Sequence, residues 1–146
     1  LKTIRLAIVV AEFNQEITYK MLDNAKDHAK NFNMDVKKIC YVPGTFDMPL
    51  IVEKLLRNKQ IDAIVTLGAV IKGETGHDLI VANNTARLLA DLSLKYQKPI
   101  ALGITGPGMT VKQAKRRIVT VPERAVEAAH KMVTRLRQLN DEKGFE

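Results

Sequence analysis

This chain of 146 residues has no tryptophan, one cysteine, and aromatics at only 5% of its residues. Cys40, being alone, forms no internal disulfide, and it lies in an apolar run. A small buried hydrophobe in a reducing compartment is the expectation. No apolar run approaches the roughly 18 residues that span a bilayer, and the first residues lack a secretory pattern, so a cytoplasmic protein with no membrane partner is expected. Histidine and cysteine do not cluster at metal-ligand spacing, so no metal is expected. There is no Walker-type loop, and no serine–histidine–aspartate set can be assembled, which argues against covalent catalysis. Single-stranded nucleic acid needs clustered aromatics beside positive charge. None are visible, and no nucleic-acid partner is expected.

What the chain does have is the composition of a globular protein, with 46% hydrophobic and 27% charged residues. Its length suits one domain over residues 1–146. A net charge of +7 and an isoelectric point near 9.6 suit anionic ligands. The densest cationic cluster, Lys112, Lys115, Arg116 and Arg117, reads first as a solvated helix face.

The period of the apolar pattern alternates along the chain. Leu6 to Ala11 is a continuous apolar strand, and Ile17, Met21, Ala25, Ala29 and Phe32 then recur at helical spacing. Met34 to Val42 is a second strand, stopped by Pro43-Gly44. A helix from Asp47 to Lys59 follows, with Asp47 as its N-cap and Pro49 in its first turn. Ile61 to Leu67 reads as strand three, broken at Gly68. Asp78 to Tyr96 is helix three, with Val81, Leu88, Leu89 and Leu92 inward, and Pro99 to Ile104 is strand four, ended by Gly106-Pro107-Gly108. Thr110 opens a short basic helix, and an apolar stripe from Ala125 to Leu139 marks a long last one. Strands and helices in alternation imply an α/β fold. The expectation is a three-layer, flavodoxin-like, doubly wound parallel sheet of about four strands, in the order 2-1-3-4, with helices on both faces.

In that order strands one and three are neighbours, and ligands bind beyond their carboxyl ends. The loops that meet there are Glu12-Phe13-Asn14 and Ala69 to His77, with Thr45-Phe46-Asp47 close by. Phe13 in a polar loop suits either a stacking contact or a hydrophobic staple for the next helix. Glycines and a hydroxyl leading into a helix start make an anion site, because the N–H groups there point outward unpaired. His77, near neutrality, suits proton transfer. His28 and His130 lie within helical patterns and read as surface or packing residues.

These segments carry a resemblance. Ala11-Glu12-Phe13-Asn14, Val42 to Pro49, Leu67 to Thr75 with His77, Gly103-Ile104 with Thr110 and Gln113-Ala114, and Arg124 to Ala129 stand in the order and spacing of the lumazine synthase family. The chain most resembles its archaeal branch. The resemblance implies a transferase of riboflavin biosynthesis. It condenses 5-amino-6-ribitylamino-uracil with 3,4-dihydroxy-2-butanone 4-phosphate and uses no metal or organic cofactor. It implies that Phe13 stacks on the pyrimidine ring with Asn14 beside it, and that Thr45, Phe46 and Asp47 hold the ribityl chain. Ala69, Val70 and Ile71 read the ring edge, and Leu102 forms a further wall. Gly73, Glu74 and Thr75 cradle the phosphate with Arg117, His77 relays protons, and Arg124 and Glu127 support the pocket.

The same resemblance implies a homo-oligomer, a pentamer or an icosahedral 60-mer, with each site completed by a neighbouring subunit. Arg117, Arg124 and Leu102 are expected on one subunit and the remaining residues on its neighbour. Members that stop at pentamers often carry an insertion before the last helix, and none appears here. Three positions and one segment depart from the family pattern. Asp78 directly follows the histidine, where it orients His77, raises its pKa or caps helix three. Asp47 replaces a glutamate, Leu102 an aromatic, and the segment Ile118 to Glu123 lacks the usual glycine–asparagine connector. The rivals are an archaeal-type riboflavin synthase, a receiver-like or flavin-binding module, and a basic nucleic-acid-binding domain.

Overall fold

Burial on both faces converts the apolar runs into strands. In the computed structural model, which describes residues 2–144, β1 (Ile4–Ala11) is followed by α1 (Gln15–Asn31) and β2 (Met34–Val42). A 3-10 turn over Thr45–Asp47 then leads into α2 (Met48–Leu56), β3 (Ala63–Ile71) and α3 (His77–Tyr96). The chain continues through β4 (Ile100–Met109), α4 (Val111–Lys115) and α5 (Thr120–Asp141). All strand pairs are parallel and the sheet order is β2-β1-β3-β4, the doubly wound arrangement the pattern predicts. Leu6, Ile8 and Val10 point to one face and pack with Ile17, Met21 and Ala25 of α1 and with Ala125, Val126 and Ala129 of α5. Ala7, Val9 and Ala11 point to the other and meet Val52 and Leu56 of α2 and Leu89 of α3. Strands covered on both sides need no polar alternation, and β1 has none. Two hydroxyls inside this core are satisfied by carbonyls, Thr18 Oγ1 donating to Ala11 at 2.6 Å and Thr66 Oγ1 to Ala101 at 3.0 Å.

Four expectations need correction. Strand three does not break at Gly68 but continues to Ile71. The glycine serves close approach, since a Cβ there would stand 2.7 Å from Thr45 Oγ1. Strand four likewise runs through its Gly-Pro-Gly segment to Met109, which pairs with Ile71 and accepts from the Lys72 N–H at 2.8 Å. At Gly106, with φ +103, a side chain would run into the Val70 carbonyl, so the absence of one lets β4 stay alongside β3. The helix predicted from Asp47 to Lys59 is shorter, Met48–Leu56, and Asp47 does not cap it through its side chain. Its carboxylate accepts from the Gly44 N–H at 3.0 Å and closes the preceding 3-10 turn. Leu88, read as inward, is 40% exposed.

The amino end of the sheet is closed by charge. Asp62, just before β3, accepts from the Arg5 backbone N–H at 2.7 Å and from its guanidinium through both oxygens at 3.1 Å. Arg137 of α5 approaches the same carboxylate at 3.6 Å and donates to the Lys2 carbonyl at 2.7 Å. Beside them the Lys98 ammonium donates to the carbonyls of Leu56 and Asn58 at 2.8 and 3.0 Å, tying off the carboxyl end of α2. Burial alone pushes the Asp62 carboxyl up. The Arg5 hydrogen bonds and the charges of Arg5 and Arg137 outweigh it and hold the group below the usual carboxylate range. Burial pushes the Lys98 amine below its ordinary value, and Asp62 opposes that only in part.

Candidate active site

The carboxyl end of the sheet holds a cavity of about 270 Å³ between the loops that follow β1, β2 and β3. Two backbone bonds build its first wall: the Glu12 N–H donates to Val42 at 2.7 Å and the Phe13 N–H to Pro43 at 2.9 Å. These extend the β1–β2 pairing past the strand ends and set the Phe13 ring over the cavity. That ring is 70% exposed, so Phe13 is not a staple buried under α1. Asn14, at φ 61 in the left-handed region, starts α1 and donates its side-chain amide to the Ala69 carbonyl at 2.9 Å. The loop after β1 is thereby locked to the end of β3.

Thr45 and Phe46 form the second wall. Thr45 is buried, its carbonyl accepting from Thr85 Oγ1 of α3 at 3.4 Å, whereas the Phe46 ring is 58% exposed. Ala69, Val70 and Ile71 supply the floor, Gly73 the rim, and His77 the far side. A Cβ at Gly73 would meet nothing within 4 Å, so its backbone faces open space. His77 is exposed and is the first residue of α3, where the positive end of the helix dipole favours a negatively charged ligand.

Eight of the residues singled out from the sequence therefore line one cavity: Phe13, Thr45, Phe46, Ala69, Val70, Ile71, Gly73 and His77. Asn14 and Asp47 stand behind the wall, each with its side chain spent on a neighbouring backbone group. Glu74 and Thr75 are exposed in the loop before α3. The remaining four lie off this cavity. Leu102, opposite Thr66 on β4, is 49% exposed. Arg117 is exposed after α4 and donates to the Gln113 carbonyl at 3.0 Å. Arg124 is exposed on α5, and Glu127 stands 3.4 Å from His28 Nε2 on α1.

Gly44, Asp78 and Val81 also line the cavity. Val81 was legible only as an inward position of α3, because helical spacing does not say whether inward means core or pocket. Asp78 is the larger surprise. It is only 6% exposed, and its Oδ2 accepts from the Gly108 N–H at 2.9 Å. Its carboxylate thus ties the first turn of α3 to the end of β4, a partner 30 positions along the chain. Among the described residues no three histidine, cysteine or acidic side chains converge as a metal would require. No helix there is long and apolar enough to cross a membrane.

A family model described as 6,7-dimethyl-8-ribityllumazine synthase matches residues 3–139. The chain is 58% identical over 140 residues to the protein of that name from Saccharolobus islandicus, covering 96% of this chain and 91% of the relative. Identity to the Metallosphaera sedula protein of that name is 56% over 137 residues, covering 94% and 91%. The Methanothermobacter thermautotrophicus protein, again of that name, is 53% identical over 138 residues, covering 94% and 99%.

Proposed function

The chain belongs to the 6,7-dimethyl-8-ribityllumazine synthase family, and from that premise we propose how its carboxyl-end cavity carries out the condensation. The enzyme joins 5-amino-6-ribitylamino-uracil to 3,4-dihydroxy-2-butanone 4-phosphate in the penultimate step of riboflavin biosynthesis. The observation that carries the site assignment is the convergence of Phe13, Thr45, Phe46, Gly73 and His77 on one cavity at the β1–β3 switch point.

Phe13 offers an exposed ring face to the pyrimidine, whose edge meets the backbone of Ala69 to Ile71. Thr45 and Phe46 flank the ribityl chain. Asn14 and Asp47 serve these walls from behind by fixing the two loops. The butanone phosphate sits at the mouth of α3 against Gly73, Glu74 and Thr75, where N–H groups and the helix dipole meet its charge. Amine attack on the ketone forms the imine with loss of water. Phosphate then leaves, and the ribityl-bearing nitrogen closes the ring with loss of a second water. Holding two reactants together supplies much of the acceleration, and no protein nucleophile is needed. His77 moves the protons of these steps.

Arg117, Arg124 and Leu102 act on a neighbouring subunit's cavity, with Arg117 as counter-charge to the departing phosphate. In keeping with this, all three lie off the cavity of their own chain. The assembly is a pentamer or a shell of 60 subunits in the cytoplasm. Supporting it are large apolar side chains left exposed on α2 and α3, with Leu50 79% and Leu94 70% exposed, which burial between subunits would cover.

Following lumazine fluorescence with each substrate omitted in turn tests the activity; saturable product requiring both is the expected result. Arg117→Ala tests the phosphate assignment. The Michaelis constant for the butanone phosphate should rise about tenfold or more, with that for the pyrimidine little changed. An equal rise in both would remove Arg117 from the phosphate.

A further inference from the structure

Arg117 sits in a turn whose geometry has an unusual requirement. In a helix the carbonyl of each residue accepts from the N–H four positions later, and for Ile118 that position is Pro122, which has no N–H. Proline is well tolerated in the first turn of α5, but it leaves the Ile118 carbonyl without a local donor. The side-chain amide of Asn24 on α1 supplies it, Nδ2 donating to Ile118 at 3.0 Å across 94 positions of sequence. The neighbouring peptide groups are held within the turn itself, the Arg117 N–H donating to Ala114 at 3.0 Å and the Val121 N–H to the Arg117 carbonyl at 3.1 Å. Those local bonds fix the shape of the turn. The Asn24 bond and the packing of Ile118 and Val121 on the core fix its place relative to the sheet.

A second observation points the same way. One helical turn beyond Asn24, His28 lies between two carboxylates of α5, with Nδ1 3.9 Å from Glu123 and Nε2 3.4 Å from Glu127. Nε2 is buried and makes no aligned hydrogen bond among the described residues, so the attraction is one of charge when His28 is protonated. Asn24 and His28 thus form a ridge on α1 that meets the connector and the start of α5. The ridge is rigid, because Ile17, Met21 and Ala25 root α1 in the core at zero exposure. By contrast the Arg117 guanidinium is exposed, and among the described residues its hydrogen bond goes to the Gln113 carbonyl within the same turn. Where that charge stands is therefore decided by the backbone beneath it.

We propose that Asn24 is a positioning residue for the reaction: by donating to Ile118 the bond that Pro122 withholds, it sets Arg117 at the distance the substrate phosphate requires. The inference rests on the phosphate role of Arg117. Asn24→Asp is the sharpest variant, nearly identical in shape but presenting an oxygen where the carbonyl needs a donor. In the assembled full-length enzyme it should raise the Michaelis constant for the butanone phosphate about threefold to tenfold and leave that for the pyrimidine within twofold. Asn24→Gln, which keeps the amide donor, should recover part of the loss. The double variant Asn24→Asp/Arg117→Ala should be no worse than Arg117→Ala alone, because one residue acts through the other. Should Asn24→Asp prevent assembly, Asn24→Ala is read in the same way. Equal rises for both substrates, no rise at all, or additive losses in the double variant each overturn the proposal. If Arg117→Ala itself spares the phosphate substrate, the phosphate reading fails first, and the Asn24 proposal goes with it.

Discussion

At its amino end the sheet is closed by side chains that face one another: Arg5 and Arg137 around Asp62, with Lys98 on the free carbonyls of α2. At its carboxyl end the loops are shaped instead by bonds to the backbone. The contacts there run from main chain to main chain, as Glu12 to Val42, Phe13 to Pro43 and Lys72 to Met109, or from side chain to main chain, at Asn14, Asp47 and Asp78, with glycines where two stretches of backbone come close. The difference separates two demands. Charged groups already paired within the protein have little left to offer a ligand, whereas a rim held by bonds to the main chain leaves its rings, its histidine and its helix start unspent. Charge pairing is concentrated where no chemistry is proposed, and the proposed chemistry sits where rings and the histidine are exposed.

The largest effect that tests this separation is at His77. Its side chain is exposed at the helix start and contributes little to the core. His77→Ala should slow turnover on the order of tenfold to a hundredfold while the melting temperature and the assembly stay unchanged. A protein that melts earlier with unaltered turnover would reverse the roles of the two ends.

Asp78 is where the separation ought to fail. It lines the cavity yet is buried and bonded to Gly108, so it belongs to both the site and the scaffold. Asp78→Ala would leave the Gly108 N–H unpaired and release β4 from α3. The expected result is a fall of several degrees in melting temperature together with a severalfold loss of kcat/KM. Asp78→Asn keeps an acceptor oxygen and should be milder on both counts. Loss of activity with no loss of stability would make Asp78 a participant in the chemistry.

Topology was the most legible part of the molecule, because long apolar runs at alternating period admit few arrangements. The loops that converge on the cavity followed from that topology, and with them Phe13, Thr45 and His77. Strand ends were less readable. Gly68 and Gly106 look like breakers in a single chain, and only the neighbouring strand shows that the missing side chains make room for Thr45 and Val70. Asp47 and Asp78 each invited a capping role, yet their carboxylates were taken by Gly44 and Gly108. Spacing cannot reveal which N–H a carboxylate will reach 30 positions away. Asn24 left no trace for the same reason: the carbonyl it serves lies 94 residues on, and only the absent N–H of Pro122 hints that a donor is wanted.

The smallest effect belongs to the amino end and appears only in acid. Because Asp62 is held below the usual carboxylate range in the folded protein, the unfolded chain binds a proton at this residue more readily than the folded one. Its contribution to stability is therefore complete above the ordinary carboxylate pKa of about 4 and is lost as the pH falls through the lower folded value. The carboxylate is partly open to solvent, which screens the gain, so the shift should be a few degrees at most. Asp62→Asn keeps the shape and an acceptor oxygen but removes the charge that Arg5 and Arg137 share. Its melting temperature should lie slightly below that of the parent at pH 7, and the gap should close as both are taken below pH 4. Turnover at pH 7 should be the same in the two proteins. A gap that persists unchanged in acid would mean that shape rather than charge closes this end. A loss of turnover would mean that the two ends of the sheet are coupled after all.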